Sequence, residues 1–133
     1  MEERYLKLRD SWERGDRDRE RVLQLFFLSW MHWADPPFVT GLSDDPHANQ
    51  LWHEIFDFFG GDKSSDAEFS YVASLMAHLF PWALGNETEW ATIAKRLKAR
   101  SLELQPNGFP ADMFEGRGAY GEYFGGQARR QFS

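Results

Sequence analysis

The apolar run RVLQLFFLSWMHWADPPF, residues 21–38, constrains the fold of this chain more than any other segment. Nine of the twelve residues from Val22 to Trp33 are apolar, and on a helical wheel the polar ones fall on one narrow side. A helix that is apolar nearly all round is buried against several neighbours. A membrane span needs about 20 apolar residues, more than this run offers. We therefore predict a central, buried helix that ends before Pro36-Pro37, because proline lacks a backbone N–H and disfavours helical geometry in the preceding residue.

Four further helices are predicted around the central one from apolar spacing and from capping signals. Their predicted starts are Glu2, Ser43 or Asp44, Ser65 and Asn86. Ser65 with Glu68, and Asn86 with Glu89, have the spacing by which a helix start is capped. Short breaks between helices favour antiparallel neighbours. The sequence thus predicts an all-α fold, a single compact bundle of five mostly antiparallel helices.

Residues 105–133 differ in composition from the rest of the chain. Six of the eleven glycines fall here, among several aromatic residues. Glycine alone would favour a flexible segment, but aromatic side chains gain much free energy when they are buried. We therefore predict one domain in two parts, a helical domain over residues 1–104 and an ordered tail over residues 105–133. The tail would pack either across its own domain or against a partner chain.

Overall charge and the absence of cysteine exclude several classes of function. With a formal net charge of −6 at pH 7, the chain lacks the positive charge on which nonspecific nucleic-acid binding depends. Without cysteine it has neither a disulfide framework nor a thiolate metal site. No apolar signal segment follows a basic start. We therefore expect a cytoplasmic protein with no nucleic-acid or membrane partner.

Three groups of polar residues have spacings that chemistry uses, but each has a simpler interpretation. His53 and Asp57 lie at i, i+4, a spacing that can hold a metal ion. Because His47 and His53 do not share a helix face, we predict no metal and no cofactor. Ser74 and His78 lie one turn apart, without the third, orienting group that nucleophilic catalysis uses. Basic residues over 95–100 complement the dipole at a helix end. Binding of phosphate or of an acidic partner is the alternative interpretation of this basic segment.

The segment that follows the central helix, HWADPPF over residues 32–38, is the candidate pocket. Rigid prolines between aromatic residues can form the wall of a concave site, with His32 and Asp35 at its mouth. The alternative is that Trp33 and Phe38 simply fill core beneath the loop. A pocket here would favour a small-molecule- or metal-dependent enzyme, which needs converging polar groups with shifted pKa values.

The preferred function is that of a non-catalytic interaction protein, such as a regulator, an adaptor or a toxin-neutralising protein. Aromatic residues and arginine anchor many protein interfaces, so the tail supplies the candidate partner-binding residues Arg117, Tyr120, Tyr123 and Phe124. The acidic face with Glu54 and Asp57 supplies the others, and it would suit a basic protein partner. A homodimer formed through the tail is a further arrangement that the sequence allows.

Overall fold

The computed structural model describes residues 2–34 and 46–131, and all regular structure in those ranges is helical. The described residues form seven α-helices: α1 (Glu2–Glu13), α2 (Arg19–Ala34), α3 (Pro46–Phe58), α4 (Ala67–Leu79), α5 (Pro81–Leu84), α6 (Glu87–Leu104) and α7 (Gly118–Gln131). Two 3-10 helices, Gly61–Lys63 and Ala111–Phe114, lie between them. The all-helical prediction is confirmed. The predicted count of five does not match, because α5 and α7 were not predicted.

Helix α2 is the centre of the core, as its sequence predicts. Val22, Leu23 and the residues from Leu25 to Trp30 are all buried. On one side Phe26 stacks on Trp52 of α3, with ring centroids 4.8 Å apart. On another side Phe27 lies against α7, through Phe124 at 5.6 Å. Since neighbours surround it, an almost continuous apolar surface is what this helix needs.

Capping side chains set the starts of α4 and α6. Asn86 accepts a hydrogen bond from the backbone N–H of Glu89 at 2.9 Å, so the predicted cap of α6 is confirmed. The predicted start of α4 is one residue early, because its N-cap is Asp66 and not Ser65. The Asp66 side chain accepts from the N–H of Phe69 at 3.0 Å. A carboxylate at this position also interacts favourably with the helix dipole. The predicted start of α3 at Ser43 or Asp44 lies outside the described residues.

Pro81 separates α4 from the short helix α5. Proline is well suited to the first position of a helix, where its missing N–H would be unpaired in any case, and α5 begins at this residue. Two side chains hold α5 in place from different helices. The indole N–H of Trp33 donates to the carbonyl of Ala83, and Nε2 of His53 lies 2.8 Å from the carbonyl oxygen of Leu84.

Helix α7 lies in the glycine-rich tail, where composition conceals its pattern. Tyr120, Phe124 and Ala128 recur at i, i+4 and i+8, and all three are buried. Gly121 is required at its position, because a Cβ atom there would lie 2.1 Å from the carbonyl oxygen of Phe114. The glycine therefore allows α7 to approach the preceding 3-10 helix closely. Aromatic periodicity outweighs the low helix propensity of glycine in this segment.

None of the helices in the two described ranges is both long and apolar enough to cross a membrane.

Candidate functional site

A cluster of charged side chains joins the tail to the starts of α2 and α4. Arg117 donates hydrogen bonds to Glu20 at 2.5 Å and to Glu68 at 2.6 Å. Burial alone would lower the pKa of Arg117, but the hydrogen bonds that it donates to the two carboxylates raise this pKa above its usual range. Glu68 is almost fully buried. A buried carboxylate destabilises the folded state unless it forms an ion pair and hydrogen bonds. Glu68 forms both with Arg117.

Tyr120 completes the cluster from α7. Its hydroxyl donates to the same carboxylate oxygen of Glu68, at 2.5 Å. Burial, with the nearby charge of Glu68 as the second cause, raises the pKa of Tyr120 well above its ordinary value. The phenol therefore keeps its proton at neutral pH and acts as a donor. Because Arg117, Tyr120 and Glu68 have hydrogen-bond partners within the chain, the cluster is suited to holding α7 in place.

The four tail residues predicted to bind a partner make contacts within this chain. Tyr120 and Phe124 are 1% and 0% exposed, so neither ring is accessible to a partner in this conformation. Tyr123 is half-buried, with its ring 5.4 Å from that of Phe27. Arg117 is used in the cluster with Glu68. In this conformation the tail aromatics belong to the hydrophobic core, because burying them against α2 removes their rings from water.

Of the four residues predicted to form a pocket after α2, the structure describes His32 and Trp33. His32 is 3% exposed and packs against Tyr5, with ring centroids 4.0 Å apart, so it does not lie at the mouth of a cleft. Trp33 is directed towards α5, where its N–H is bonded to Ala83. Asp35 and Phe38 lie outside the described residues.

The predicted acidic face of α3 is at the surface. Glu54 and Asp57 are both exposed, and Gln50 donates a hydrogen bond to Glu54. His53 does not join them in a metal site, since its two ring nitrogens face the carbonyl oxygens of Asn49 and Leu84 at 2.8 Å. Among residues 2–34 and 46–131, no group of three or more His, Asp or Glu side chains is placed to hold a metal ion.

Helix α5 carries an exposed tryptophan that the sequence analysis did not single out. Trp82 is 58% exposed, and Leu79, the last residue of α4, is 38% exposed. The Trp82 ring packs edge-on against that of Phe80, with centroids 5.8 Å apart. The one available signal was a tryptophan directly after a proline in a very short segment. The exposure of Trp82 could not be inferred from its position in a helix, because Trp52 and Trp90 also lie in helices and are buried.

Acidic residues are exposed on the helices that adjoin α5. Between Pro46 and Ala94 the sequence contains a single lysine or arginine, Lys63. Glu54 follows His53, which contacts the carbonyl of Leu84, so this acid lies on the stretch of α3 beside α5. Glu87 and Glu89 are exposed in the first turn of α6. We call the combination of Leu79, Trp82 and these flanking acids the α5 surface.

No protein-family model, curated protein sequence or solved structure matches this chain. The geometry of the described residues is therefore the basis of any functional assignment.

Proposed function

We propose that this chain is a non-catalytic protein-interaction module, and that its α5 surface binds a basic segment of a partner protein. The observation that carries the proposal is the 58% exposure of Trp82 on a short helix fixed from two sides. Tryptophan is one of the residues most enriched among those that dominate binding energy at interfaces. A fixed backbone reduces the conformational entropy that such a residue loses on binding.

Charge identifies the kind of partner. Glu54, Glu87 and Glu89 are exposed on the helices that adjoin α5, and an interface with an apolar core and a polar rim would use such acids as its rim. Acidic rims attract basic partners during encounter and disfavour acidic ones. The partner segment would present an apolar side chain to Trp82 and lysine or arginine to the acids. Regulators, adaptors and toxin-neutralising proteins act in this way, and a cytoplasmic location stays part of the proposal.

Catalysis is the weaker alternative. An enzyme site near His32 and Asp35 would need polar side chains that converge on a cavity. His32 instead faces the ring of Tyr5 inside the core. Ser74, the predicted nucleophile candidate, donates its hydroxyl to the carbonyl of Tyr71 and not to His78. These placements favour a binding role.

The test compares three variants with the wild-type protein in affinity capture followed by quantitative mass spectrometry. Trp82→Ala removes the centre of the α5 surface, and Glu54→Lys reverses one flanking charge. Leu6→Ala is the matched control, because Leu6 is 46% exposed and belongs to α1, which contributes no residue to the α5 surface. We expect a partner that the wild type and the Leu6 variant retain and that the other two variants lose.

Binding is then measured with the purified partner by calorimetry. Loss of a tryptophan at the centre of an interface should weaken binding by about 2 kcal/mol or more, which corresponds to roughly thirtyfold. Each variant must melt at the wild-type temperature, so that loss of binding is not loss of folding. Equal retention by the Trp82 and Leu6 variants would show that the α5 surface is not the interface.

A further inference from the structure

A concave surface lies between α4 and α6 and shares no residue with the α5 surface. It is a groove of about 790 Å³, lined by the two helices and by the turn that follows α6. The helices run antiparallel, since Arg100 near the end of α6 donates to the carbonyl of Ser64, just before α4, at 2.9 Å. The wall from Ala91 to Leu102 spans about 16 Å at the helical rise. This size is within the range of small-molecule sites, about 300–1,000 Å³.

Small side chains make the floor of the groove. Ala94, Ser74 and Ser101 are buried, and none of them is large enough to fill the space between the helices. Both serine hydroxyls donate to carbonyls of their own helices, Ser74 to Tyr71 at 2.6 Å and Ser101 to Lys98 at 2.7 Å. Because these hydroxyls are already satisfied, an apolar group can cover them without leaving a donor unpaired.

One end of the groove is closed by a preformed aromatic wall. Phe109 stacks on Tyr71 with ring centroids 4.4 Å apart and an angle of 14° between the planes. The side chain of Gln105 donates to the carbonyl of Gly108 at 2.7 Å, which holds the turn in place. Burial raises the pKa of Tyr71, so this wall carries no charge at neutral pH. A flat, uncharged wall suits the end of an apolar chain.

Two lysines at the groove have no partner among the described residues. Lys95 and Lys98 lie at i, i+3 on α6, exposed to solvent, and neither side-chain ammonium forms an ion pair or hydrogen bond in the described part of the chain. Their neighbours differ, since Arg96 pairs with Asp62 and Arg100 with Glu103. His78 lines the opposite wall, and no acidic side chain is among the described lining residues. The groove is therefore cationic and apolar in a chain of net charge −6.

We propose that this groove binds an organic anion with a long apolar chain, of the fatty-acid class. Its carboxylate lies at Lys95 and Lys98, and its chain runs over Ser101 towards the wall formed by Phe109. Charge complementarity fixes one end of the ligand, because ammonium groups form charge-assisted hydrogen bonds with carboxylate. Burial of the chain supplies the larger part of the binding free energy, since it scales with the apolar area removed from water. The site does not depend on the α5 surface and would exist without it.

The test is calorimetric titration of the full chain with dodecanoate below its micelle concentration. Dodecyltrimethylammonium is the matched probe, with the same apolar chain and the opposite charge, and acetate is the carboxylate without the chain. We expect saturable binding of one dodecanoate per chain, binding of the cation at least about tenfold weaker, a difference of about 1.4 kcal/mol, and no binding of acetate.

Charge-reversal variants locate the site. Lys95→Glu and Lys98→Glu should each weaken dodecanoate binding by about tenfold or more, because each places a like charge beside the carboxylate. Lys63→Glu makes the same change at an exposed lysine outside the groove and should leave binding unchanged. All three residues are exposed, so the variants should fold. Amide chemical shifts should move on titration at Ala94, Ser101 and Gly108.

Three results would overturn the assignment. Equal affinity for dodecanoate and the cationic probe would mean nonspecific apolar adsorption. Equal weakening by the Lys63 and Lys95 variants would mean a general charge effect without a site. The third result is that dodecanoate shows no saturable binding while a helical peptide with Leu and Glu on one face binds. That result would identify the groove as a site for an acidic helix of a partner protein. Trp82→Ala should not change dodecanoate binding, so the outcome is separate from that for the α5 surface.

Discussion

The two cationic regions of this molecule, one around Arg117 and one around Lys95 and Lys98, differ in what surrounds the charge. Arg117 lies between Glu20 and Glu68, with Tyr120 bonded to the same carboxylate. The two lysines lie beside apolar surface, with no carboxylate partner among the described residues. A charge that is paired and desolvated holds parts of the chain together, since its removal leaves its partner buried and alone. An exposed charge without a partner contributes little to folding and is free to bind a ligand.

Removal of the tail is the strongest test of the structural role of the region around Arg117. A chain ending at Leu104 lacks four buried aromatic residues, Phe109, Phe114, Tyr120 and Phe124. Since truncation of one buried phenylalanine costs about 3–5 kcal/mol, we expect the loss to exceed about 5 kcal/mol and to abolish cooperative unfolding in urea. Light scattering gives the solution mass of both chains. A shortened chain that melts like the full chain would contradict the structural role of the tail, and a dimer that becomes a folded monomer would make the tail an association element.

Arg117→Ala should have the next largest effect. It leaves the Glu68 carboxylate buried with one charge partner fewer, and breaking such a pair costs about 3–5 kcal/mol. Arg129→Ala is the matched control on the same helix, because Arg129 is exposed and should change the free energy of unfolding by less than about 0.5 kcal/mol. Urea denaturation measures both values. Equal effects of the two substitutions would mean that the cluster does not hold α7.

Tyr120→Phe should destabilise the protein by about 1.5–3 kcal/mol, the contribution of one hydrogen bond to a charged group. It should also change the alkaline behaviour. The pKa of Tyr120 is raised in the folded state above its ordinary value of 10.0. Its contribution to stability is therefore complete below pH 10 and is lost as the pH rises through the folded-state value. The variant should lose stability less steeply above pH 10 than the wild type, as followed by thermal melts. Parallel curves would show that Tyr120 does not titrate with unfolding.

Low pH should also reduce the contribution of this cluster to stability, through protonation of Glu20. Burial would raise the pKa of Glu20, but the hydrogen bond from Arg117 lowers it below its ordinary value of 4.5. The contribution of Glu20 is therefore present above pH 4.5 and is lost as the pH falls through the lower, folded-state value. In Arg117→Ala the acid loss of stability should be shallower. An unchanged slope between pH 5 and pH 3, in melts or urea midpoints, would contradict this assignment.

The smallest expected effect on stability is that of Lys95→Glu or Lys98→Glu. Substitutions of exposed residues without partners change the free energy of unfolding by less than about 0.5 kcal/mol. The same substitutions should strongly weaken dodecanoate binding, which separates ligand binding from folding. A large loss of stability in urea would mean that these lysines are paired, and the comparison with Arg117 would then fail.

The helical part of the fold was predictable where local signals were strong. The run from Val22 to Trp33 has no polar face wide enough for a surface helix, so its burial follows from its composition. Asn86 identified its helix start because capping involves residues only three positions apart. Helix α7 was missed because its aromatic spacing lies among glycines, and glycine propensity argues against a helix until packing is known.

The candidate sites were less predictable than the helices. Glu54 and Asp57 are exposed, as their positions on α3 indicated. For the basic residues over 95–100, binding of an acidic ligand was the alternative interpretation. Nothing in the sequence showed that Lys95 and Lys98 border a groove, or that Arg96 and Arg100 have ion-pair partners. Exposure of Trp82 depends on how α5 packs, and that is set by bonds from Trp33 and His53, far away in the chain.

The sequence by itself determined that this protein is helical, that α2 is its buried centre and where several helices begin. These properties depend on residues within a few positions of one another, so periodicity and capping are enough to infer them. Tertiary structure alone decided which charges are paired and which aromatic rings are buried. Arg117 lies 97 residues from Glu20 and 49 from Glu68. Contacts across such distances depend on how helices pack, and the same arginine or tyrosine can anchor a fold or face solvent according to that packing.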